Sequence, residues 1–276
     1  MGTQRLRVHA FLCIMPESTH PRTILITGAT SGFGEAMARL FAQAGWRVII
    51  TGRRRDRLEV LKRELEGLQG TIEGGTAVHA LRFDVRHRPE VERAIASLPA
   101  EWGTIDVLVN NAGLALGLEA FPGGDPDEWD TMIDTNVKGL LYVTRAVVPG
   151  MVARRSGHII NIGSTAGKDA YAKGNVYCAS KFAVDALTKA LRIDLLPAGI
   201  KVTQVAPGAA ETEFSEVRFH GDKQRAKQTY AGFTPLSAKD VAAIVYFAAT
   251  QPPHVCLNDI VVTPTAQANS TMIWKS

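Results

Sequence analysis

The stretch TILITGATSGFG, residues 23–34, joins a short apolar run to a glycine-rich turn. Ile24, Leu25 and Ile26 predict a buried strand, and the apolar spacing after the turn predicts a helix that ends at Gly45. A strand, a glycine turn and a helix in this order are typical of a loop that binds phosphate at a helix N-terminus. A tight turn without a ligand is the alternative, because one glycine pattern alone is weak evidence.

Three glycines in this turn, Gly28, Gly32 and Gly34, form the pattern G-x-x-x-G-x-G. Glycine permits positive φ angles, and it lets the backbone approach a pyrophosphate without an intervening Cβ. We therefore expect the turn to bind the phosphates of a dinucleotide. The expected contact residues are Gly28, Ala29, Thr30, Ser31, Gly32, Phe33 and Gly34.

The second predicted strand, residues 47–51, is followed by a glycine and then by Arg53 and Arg54. In a dinucleotide fold this position lies beside the adenosine ribose, where an acidic residue binds the 2′-hydroxyl and an arginine binds a 2′-phosphate. No acidic residue occurs before Asp56, so the sequence predicts NADP(H) rather than NAD(H). The alternative is a solvated basic start to a helix over residues 56–68.

Two further predicted strands, residues 77–83 and 105–109, also end beside polar or small residues. Ligands of parallel sheets bind beyond the carboxyl ends of the strands, so we expect these residues to border the cofactor. They are Asp84, Val85, Asn111, Ala112 and Gly113. For Asp84, a hydrogen bond with adenine and a cap on a helix near Pro89 both remain open.

A serine, a tyrosine and a lysine occur within STAGKDAYAKGNVYCASK, residues 164–181. Ser164 follows a predicted strand, and Tyr177 and Lys181 are spaced to share one face of a helix. A free tyrosine has a pKa of about 10, and a cation within about 4–6 Å lowers it. The pattern predicts that Tyr177 exchanges a proton with the substrate, that Lys181 lowers its pKa and that Ser164 orients the substrate oxygen. Each residue alone could serve packing only.

The composition, 46% hydrophobic and 21% charged, is that of a soluble globular protein. The net charge of +4 is spread along the chain, so it does not indicate a nucleic-acid partner. The three cysteines form no CxxC pair, which argues against disulfides and a metal site and favours a cytoplasmic location.

No apolar run reaches the roughly 18 residues that cross a membrane. Residues 1–20 are expected to be a disordered leader, and the natural start could be Met1 or Met15.

Five motifs occur in a fixed order along the chain: TGATSGFG, NNAG, Asn136, Ser164 and Tyr177-x-x-x-Lys181. Together they resemble the short-chain dehydrogenase/reductase family, and the resemblance extends over residues 23–263. Longer stretches, such as NNAGLALGLEAF, GHIINIGSTAG and TEFSEVRFHGD, are similar to the branch of NADP-dependent 3-hydroxy acid dehydrogenases, which includes serine and allo-threonine 3-dehydrogenases.

The resemblance implies an α/β fold of the Rossmann type, formed by a single domain over residues 21–265 and followed by a tail, residues 266–276. The expected architecture is a doubly wound, seven-stranded parallel sheet with helices on both faces, which also fits the alternation of predicted strands and helices. The resemblance further implies a homotetramer that assembles through the helices near residues 127–154 and 177–196.

The resemblance also assigns roles to individual residues. Asn136 is implied to bend its helix and to hold a water that links to Lys181, which also binds the nicotinamide ribose. An asparagine that only binds the local backbone would have the same geometry. The sequence PGAAETEF resembles the family's turn over the nicotinamide, where Thr212 bonds the pyrophosphate and the backbone near Ala209 bonds the carboxamide. The cofactor contacts implied here are Pro207, Gly208, Ala209, Thr212, Tyr177 and Lys181.

Residues 208–232, called the lid below, contain many charges and few apolar residues, which favours a mobile cover. Within the lid, Arg218 is our candidate for binding a substrate carboxylate, because a guanidinium offers two parallel donors. A solvated arginine, or one paired with Glu216 or Asp222, is the alternative. The predicted substrate contacts are Ser164, Tyr177 and Arg218.

The predicted reaction is hydride transfer between NADP(H) and the alcohol or carbonyl of a small 3-hydroxy acid, such as serine, allo-threonine or 3-hydroxypropionate. Two alternatives remain open: an NADPH-dependent carbonyl reductase of broad specificity and a nucleotide-sensing regulator on the same fold. Regulators of that kind usually lack part of the Ser164, Tyr177 and Lys181 set, and this chain retains all three.

Overall fold

The computed structural model describes residues 21–69 and 77–276. The expectations for residues 1–20, including the choice between Met1 and Met15 as the start, lie outside the described residues. The described residues form one sheet that is covered by helices on both faces, and the functional residues gather at one edge of it.

Seven strands form the centre of the described chain, and all neighbouring pairs are parallel. The strands are β1 Thr23–Ile26, β2 Arg47–Gly52, β3 Val78–Arg82, β4 Val107–Asn110, β5 His158–Ile162, β6 Lys201–Pro207 and β7 Asp259–Val262. Their order in the sheet is β3-β2-β1-β4-β5-β6-β7. The predicted seven-stranded parallel sheet is therefore confirmed.

Helices pack on both faces of the sheet, as the family resemblance implies. They are α1 Gly32–Gln43, α2 Arg55–Gln69, α3 Arg88–Ala96, α4 Pro126–Ile133, α5 Gly139–Ala153, α6 Asn175–Leu195, α7 Glu213–Arg218, α8 Lys223–Gln228 and α9 Ala238–Ala249. Residues of α1, α2 and α9 form one hydrophobic cluster with the sheet, and residues of α3, α5 and α6 form a second one.

The two clusters explain why the strands read as continuous apolar runs. Side chains of a strand alternate between the two faces of a sheet. Ile24 and Ile26 therefore enter the first cluster, whereas Leu25 enters the second. A strand that is covered on both faces needs an apolar residue at nearly every position, as in the fully buried β1.

The strand order reverses between β1 and β4. From β1 the chain adds β2 and β3 on one side, and from β4 it adds the remaining strands on the other side. Such a switch point opens a crevice at the carboxyl edge of the sheet, where α/β proteins bind ligands. The glycine turn follows β1 and Asn111 follows β4, so the fold brings both predicted sites to this crevice.

The helix predicted over residues 127–154 is not continuous. A π-helical turn, Asp134–Lys138, separates α4 from α5, and Asn136 lies within it. The side chain of Asn136 forms hydrogen bonds with the backbone of Leu114, in the loop after β4. The interruption lies where the family resemblance implies a bend.

The lid contains the two short helices α7 and α8. The tail folds back on its own chain, because the Trp274 N–H donates to the Ala266 carbonyl at 2.8 Å and the Ser270 hydroxyl donates to the Thr165 carbonyl at 2.6 Å. The Trp274 side chain is 78% exposed. In the part of the chain that the structure describes, no helix combines the length and apolar character that membrane spanning requires.

Candidate active site

The glycine turn approaches the end of β4 so closely that side chains are excluded. Gly28 has a φ angle of +64°, and a Cβ there would lie 2.9 Å from the Cα atom of Ala112. A Cβ on Gly34 would lie 2.4 Å from the carbonyl oxygen of Gly28. The Asn111 amide donates to the carbonyls of Thr27 at 2.8 Å and Gly28 at 3.2 Å. The turn is thus a fixed, bare stretch of backbone at the N-terminus of α1, which suits a pyrophosphate.

The two predicted phosphate-binding arginines lie at one end of the same cleft. The Nη2 atom of Arg54 is 3.1 Å from the Thr30 hydroxyl and 3.2 Å from the Ser31 hydroxyl, so the guanidinium sits over the glycine turn. The Nη1 atom of Arg53 is 3.6 Å from a carboxylate oxygen of Asp84. Both side chains are more than 40% exposed. They therefore place positive charge where the fold puts the adenosine ribose.

Asp84 borders the cleft and does not cap a helix. Helix α3 begins after His87, and the Asp84 carboxylate instead accepts from the Arg86 backbone N–H at 3.0 Å and from its guanidinium at 2.7 Å. Burial raises the pKa of the Asp84 carboxyl, but the hydrogen bonds from Arg86 outweigh this and hold the pKa below its usual range. The capping alternative for Asp84 is therefore wrong.

Most of the predicted cofactor residues line one cleft. They are Gly28, Thr30, Ser31, Gly32, Phe33, Arg53, Arg54, Asp84, Val85, Asn111, Ala112, Gly113, Tyr177, Lys181 and Thr212. The sequence did not point to several further lining residues, namely Thr51, Gly52, Phe83, Leu114, Thr135, Ile162, Gly163, Glu213, Phe214 and Val217. Ala29 is fully buried and Gly34 is buried within α1.

Three predicted cofactor contacts, Pro207, Gly208 and Ala209, line a second pocket next to the cleft. Both polar backbone groups of Ala209 are already bonded within the protein. Its N–H donates to the Gln267 side chain at 2.7 Å, and its carbonyl accepts from the Leu236 N–H at 3.0 Å. The expected bond between the backbone near Ala209 and a carboxamide stays a prediction.

The fold brings Ser164, Tyr177 and Lys181 together between the cleft and the second pocket. Ser164 follows β5, and Tyr177 and Lys181 share one face of α6. The Lys181 ammonium lies 6.0 Å from the centroid of the Tyr177 ring and donates to the Ile162 carbonyl at 2.9 Å. Tyr177 borders both cavities, so its hydroxyl can serve a substrate in one and a cofactor in the other.

The expected lowering of the Tyr177 pKa by Lys181 is not seen in this geometry. Burial raises the pKa of Tyr177 above its ordinary value, and an interaction with Ser164 and the charge of Arg218 offset only part of that shift. Burial also lowers the pKa of Lys181 to about 8. Loss of hydration disfavours the charged form of both groups, and at these positions it sets the direction of both pKa shifts.

Asn136 is bonded to neighbouring backbone and to α6. Its amide nitrogen donates to the Leu114 carbonyl at 2.8 Å and to the Ser180 hydroxyl at 3.0 Å, and its oxygen accepts from the Leu114 N–H at 2.9 Å. A Cβ on Gly113 would lie 3.2 Å from this oxygen and 3.7 Å from the Lys181 ammonium, so both side chains flank the same glycine. The proton relay through Asn136 stays a prediction.

Arg218 points into the second pocket, which also contains Ser164 and Tyr177. Its Nε atom donates to the Gly117 carbonyl at 2.9 Å, and its Nη1 atom donates to the Tyr171 hydroxyl at 2.9 Å. The centre of the guanidinium is 5.7 Å from the centroid of the Tyr177 ring.

The acidic neighbours of Arg218 do not bind it. Asp222 caps α8 by accepting a hydrogen bond from the Arg225 N–H at 2.9 Å. The Arg218 side chain donates its hydrogen bonds to the Gly117 carbonyl and the Tyr171 hydroxyl. The alternative in which Arg218 pairs with Glu216 or Asp222 is therefore not what the structure shows.

The second pocket is also lined by residues that the sequence did not single out for substrate binding. They are Phe33, Leu118, Tyr171, Ala172, Phe214, Ser215, Phe219, Thr229, Tyr230, Gln267, Ser270 and Ile273. Tyr171 precedes α6, Tyr230 belongs to the lid and Ile273 belongs to the tail. Only the folded chain brings these segments together. Within residues 21–69 and 77–276, no cluster of three or more His, Cys, Asp or Glu side chains is arranged to hold a metal ion.

Residues 22–223 match the family described as short chain dehydrogenase. Together with the parallel sheet, the glycine turn and the Ser164, Tyr177 and Lys181 set, this match defines the class: the chain belongs to the short-chain dehydrogenase family.

Individual relatives are more specific. The chain is 50% identical over 246 residues to the NADP-dependent 3-hydroxy acid dehydrogenase YdfG of Escherichia coli (strain K12), covering 89% of this chain and 96% of that protein. It is 46% identical to a sulfoacetaldehyde reductase of Chromohalobacter salexigens, covering 89% of this chain and 94% of that protein. A solved structure, the closed form of serine dehydrogenase complexed with NADP⁺, matches with a TM-score of 0.85 and 48% identity, covering 92% and 99% of the two chains.

Proposed function

We propose that this protein is an NADP(H)-dependent dehydrogenase that acts on small 3-hydroxy acids, with serine, allo-threonine and 3-hydroxypropionate as candidate substrates. The observation that carries the proposal is the position of Arg218, whose guanidinium is 5.7 Å from the Tyr177 ring in the pocket that also contains Ser164. In a 3-hydroxy acid one carbon separates the hydroxyl-bearing carbon from the carboxylate. A molecule of that length reaches the tyrosine with one end and the arginine with the other.

Two relatives support this substrate class by their names. The 3-hydroxy acid dehydrogenase and the sulfoacetaldehyde reductase act on compounds in which one carbon separates the reacting carbon from an acidic group. A guanidinium binds carboxylate and sulfonate oxygens by the same charge-assisted hydrogen bonds. The acidic group is therefore the shared feature that Arg218 is placed to bind.

The cleft fits NADP(H) at three points. The bare glycine turn suits the pyrophosphate, Arg53 and Arg54 supply positive charge for a 2′-phosphate, and Thr212 contacts the turn from above, 3.4 Å from a Cβ position on Gly32. When bound, the nicotinamide exchanges a hydride with the substrate carbon that carries the oxygen. The similarity to proteins named or solved as NADP-dependent supports the same cofactor for this chain.

The protein itself handles the proton. In oxidation the Tyr177 oxygen takes the proton of the substrate hydroxyl, and in reduction it returns a proton to the carbonyl oxygen. The Ser164 hydroxyl donates to the same substrate oxygen and fixes its position. The Lys181 ammonium lies on the same helix face, 6.0 Å from the centre of the Tyr177 ring, and its positive charge is our candidate for stabilising the tyrosinate that takes this proton. Such proton transfer is typically worth about 10²–10⁴-fold in rate.

We propose in addition a homotetramer in the cytoplasm, as the family resemblance implies. Partly exposed apolar side chains on α5 and α6 support this assembly, because a helix face of that kind is usually covered. These side chains are Leu141, Val152, Phe182 and Ile193.

Replacing Arg218 with alanine should lower kcat/KM for 3-hydroxypropionate and serine by roughly 10–150-fold, which is the usual value of a charge-assisted hydrogen bond. Turnover of a neutral secondary alcohol should change less than about threefold, because it does not use the guanidinium. The measurement is the ratio of kcat/KM between acidic and neutral substrates, which cancels any general effect on the lid.

Arg225→Ala is the matched control for this experiment. Arg225 is also a lid arginine, but its guanidinium lies over the Phe219 ring and 3.8 Å from Glu119 rather than toward the pocket. This variant should leave the ratio unchanged. An equal loss on acidic and neutral substrates in Arg218→Ala would show that Arg218 does not recognise the acid and would favour a reductase of broad specificity.

Replacing Arg54 with glutamine should weaken NADPH binding roughly 10–150-fold and leave NADH binding nearly unchanged, because only NADPH carries the 2′-phosphate. Titration of nicotinamide fluorescence measures both dissociation constants. Arg55→Gln is the control, because Arg55 belongs to the same basic cluster but lies outside the cleft, in a groove beside Leu58. A native enzyme that prefers NADH would contradict the role assigned to Arg53 and Arg54.

A further inference from the structure

Glu213, the first residue of α7, connects the lid to the far wall of the cofactor cleft. Its two carboxylate oxygens lie 2.8 and 2.9 Å from the Nη1 atom of Arg57 in α2. One of them lies 3.6 Å from Nη1 of Arg54. Glu213 and Arg57 are 156 residues apart in the sequence, so this ion pair exists only while the lid lies against α2.

The residues on either side of Glu213 show that the lid crosses the cleft at this point. Thr212 caps α7 and contacts the glycine turn at Gly32. The Phe214 ring is 5.6 Å from the Tyr177 ring, at the catalytic end of the cleft. All three lid residues, Thr212 to Phe214, line the cleft itself. A dinucleotide bound in this cleft would therefore contact the lid.

Two arginines beside Glu213 have different geometries. Arg54 is held over the glycine turn by the hydroxyls of Thr30 and Ser31, and its contact with Glu213 is long. Arg57 makes short contacts with both oxygens of Glu213. A 2′-phosphate that takes Arg54 therefore leaves the pair between Glu213 and Arg57 intact.

We propose that the ion pair between Glu213 and Arg57 is a latch that holds the lid over the bound dinucleotide and slows its release. This inference rests on the proposed dinucleotide-binding function. Glu213 and Arg57 are positioning residues, because they act through the lid and not on the reacting atoms. Since both side chains are more than 40% exposed, the pair has the modest strength of a surface ion pair. Its loss should speed release roughly twofold to fivefold.

A second role for Glu213 makes a different prediction. If its carboxylate acts mainly as a counter-charge to Arg54, its removal would strengthen the hold on the 2′-phosphate and would affect NADPH alone. A latch acts on the lid, which lies over either cofactor, so its loss affects the release of NADPH and NADH alike. Comparison of the two cofactors separates these roles.

The experiment measures release rates by stopped-flow fluorescence, after protein loaded with NADPH or NADH is mixed with excess oxidised cofactor. Glu213→Gln and Arg57→Gln should each speed the release of both cofactors roughly twofold to fivefold. The double variant should be no faster than either single variant, because both substitutions break the same pair. Glu216→Gln removes the same charge from the same helix and should leave release unchanged.

Three outcomes of the release measurements would overturn the latch. Unchanged release rates in both single variants would show that the pair does not hold the lid. Additive increases of the release rate in the double variant would show that the two residues act separately. Slower NADPH release with unchanged NADH release would assign Glu213 to the phosphate site instead. Failure of the native protein to bind either cofactor would refute the proposed function together with the latch, whereas unchanged release refutes the latch alone.

Discussion

Tyr177→Phe should lower kcat by about 10²–10⁴-fold while NADPH binding changes less than about twofold. The substitution removes only the hydroxyl, and the ring keeps its place in a buried cluster with Ala115, Met132 and Phe214. Without the hydroxyl, no group at this position can take a proton from the substrate alcohol or return one to the carbonyl. We therefore expect kcat to fall while NADPH binding stays nearly unchanged. A general loss of structure would reduce both.

Steady-state kinetics and a fluorescence titration with NADPH test this expectation on the same protein sample. Tyr171→Phe is a matched control, because it removes another hydroxyl of the same pocket, one that accepts a hydrogen bond from Arg218 at 2.9 Å. Its turnover of a neutral alcohol should stay within about threefold of the native value. Full activity in Tyr177→Phe would refute the mechanism, and a native protein that binds NADPH but reduces no substrate would favour the nucleotide-sensing regulator.

The features that the sequence predicted well are those that depend on local order. β1 contains the predicted residues Ile24, Leu25 and Ile26, because a strand buried on both faces is marked by its apolar run. Ser164, Tyr177 and Lys181 could be placed together because one follows a strand end and the other two share a helix face. The start of α9 also depends on local order, since Ser237 and Asp240 form a capping box that spans only three residues.

The features that the sequence did not predict depend on contacts between distant segments. The Asn136 side chain binds the backbone of Leu114, 22 residues away in the loop after β4. The Ala209 N–H donates to Gln267 of the tail, 58 residues later. Tyr171 reaches Arg218 across 47 residues. No periodicity or motif encodes such contacts, because they arise only when the lid and the tail pack on the sheet.

The pKa of Tyr177 shows the same limit in electrostatic terms. Spacing alone indicated a lysine near a tyrosine, and therefore a lowered pKa. It could not indicate that both groups are almost fully buried, which raises the pKa of Tyr177 and lowers that of Lys181 to about 8. Burial is a property of the assembled fold, and here it has the larger effect.

Gly34→Ala should destabilise the protein by about 1–3 kcal/mol and weaken NADPH binding about tenfold or more. The added Cβ would lie 2.4 Å from the Gly28 carbonyl oxygen and 2.9 Å from the Cα atom of Ala29, so backbone must move. It would also lie 2.6 Å from the Asn111 amide that ties the turn to β4. Relief of these contacts requires α1 to shift away from the turn, and the shift displaces the N–H groups that face the pyrophosphate.

Thermal unfolding and NADPH titration measure the two effects, with Gly67→Ala as the control. Gly67 lies in α2, and a Cβ there meets no atom within 4 Å, so the same substitution should be neutral or stabilise by up to about 1 kcal/mol. The contrast tests whether Gly34 is required for space rather than for flexibility, because both glycines lie in helices. Native stability and native NADPH affinity in Gly34→Ala would mean that the turn can open without cost, and the close approach of α1 to the β1 turn would then not define the cofactor site.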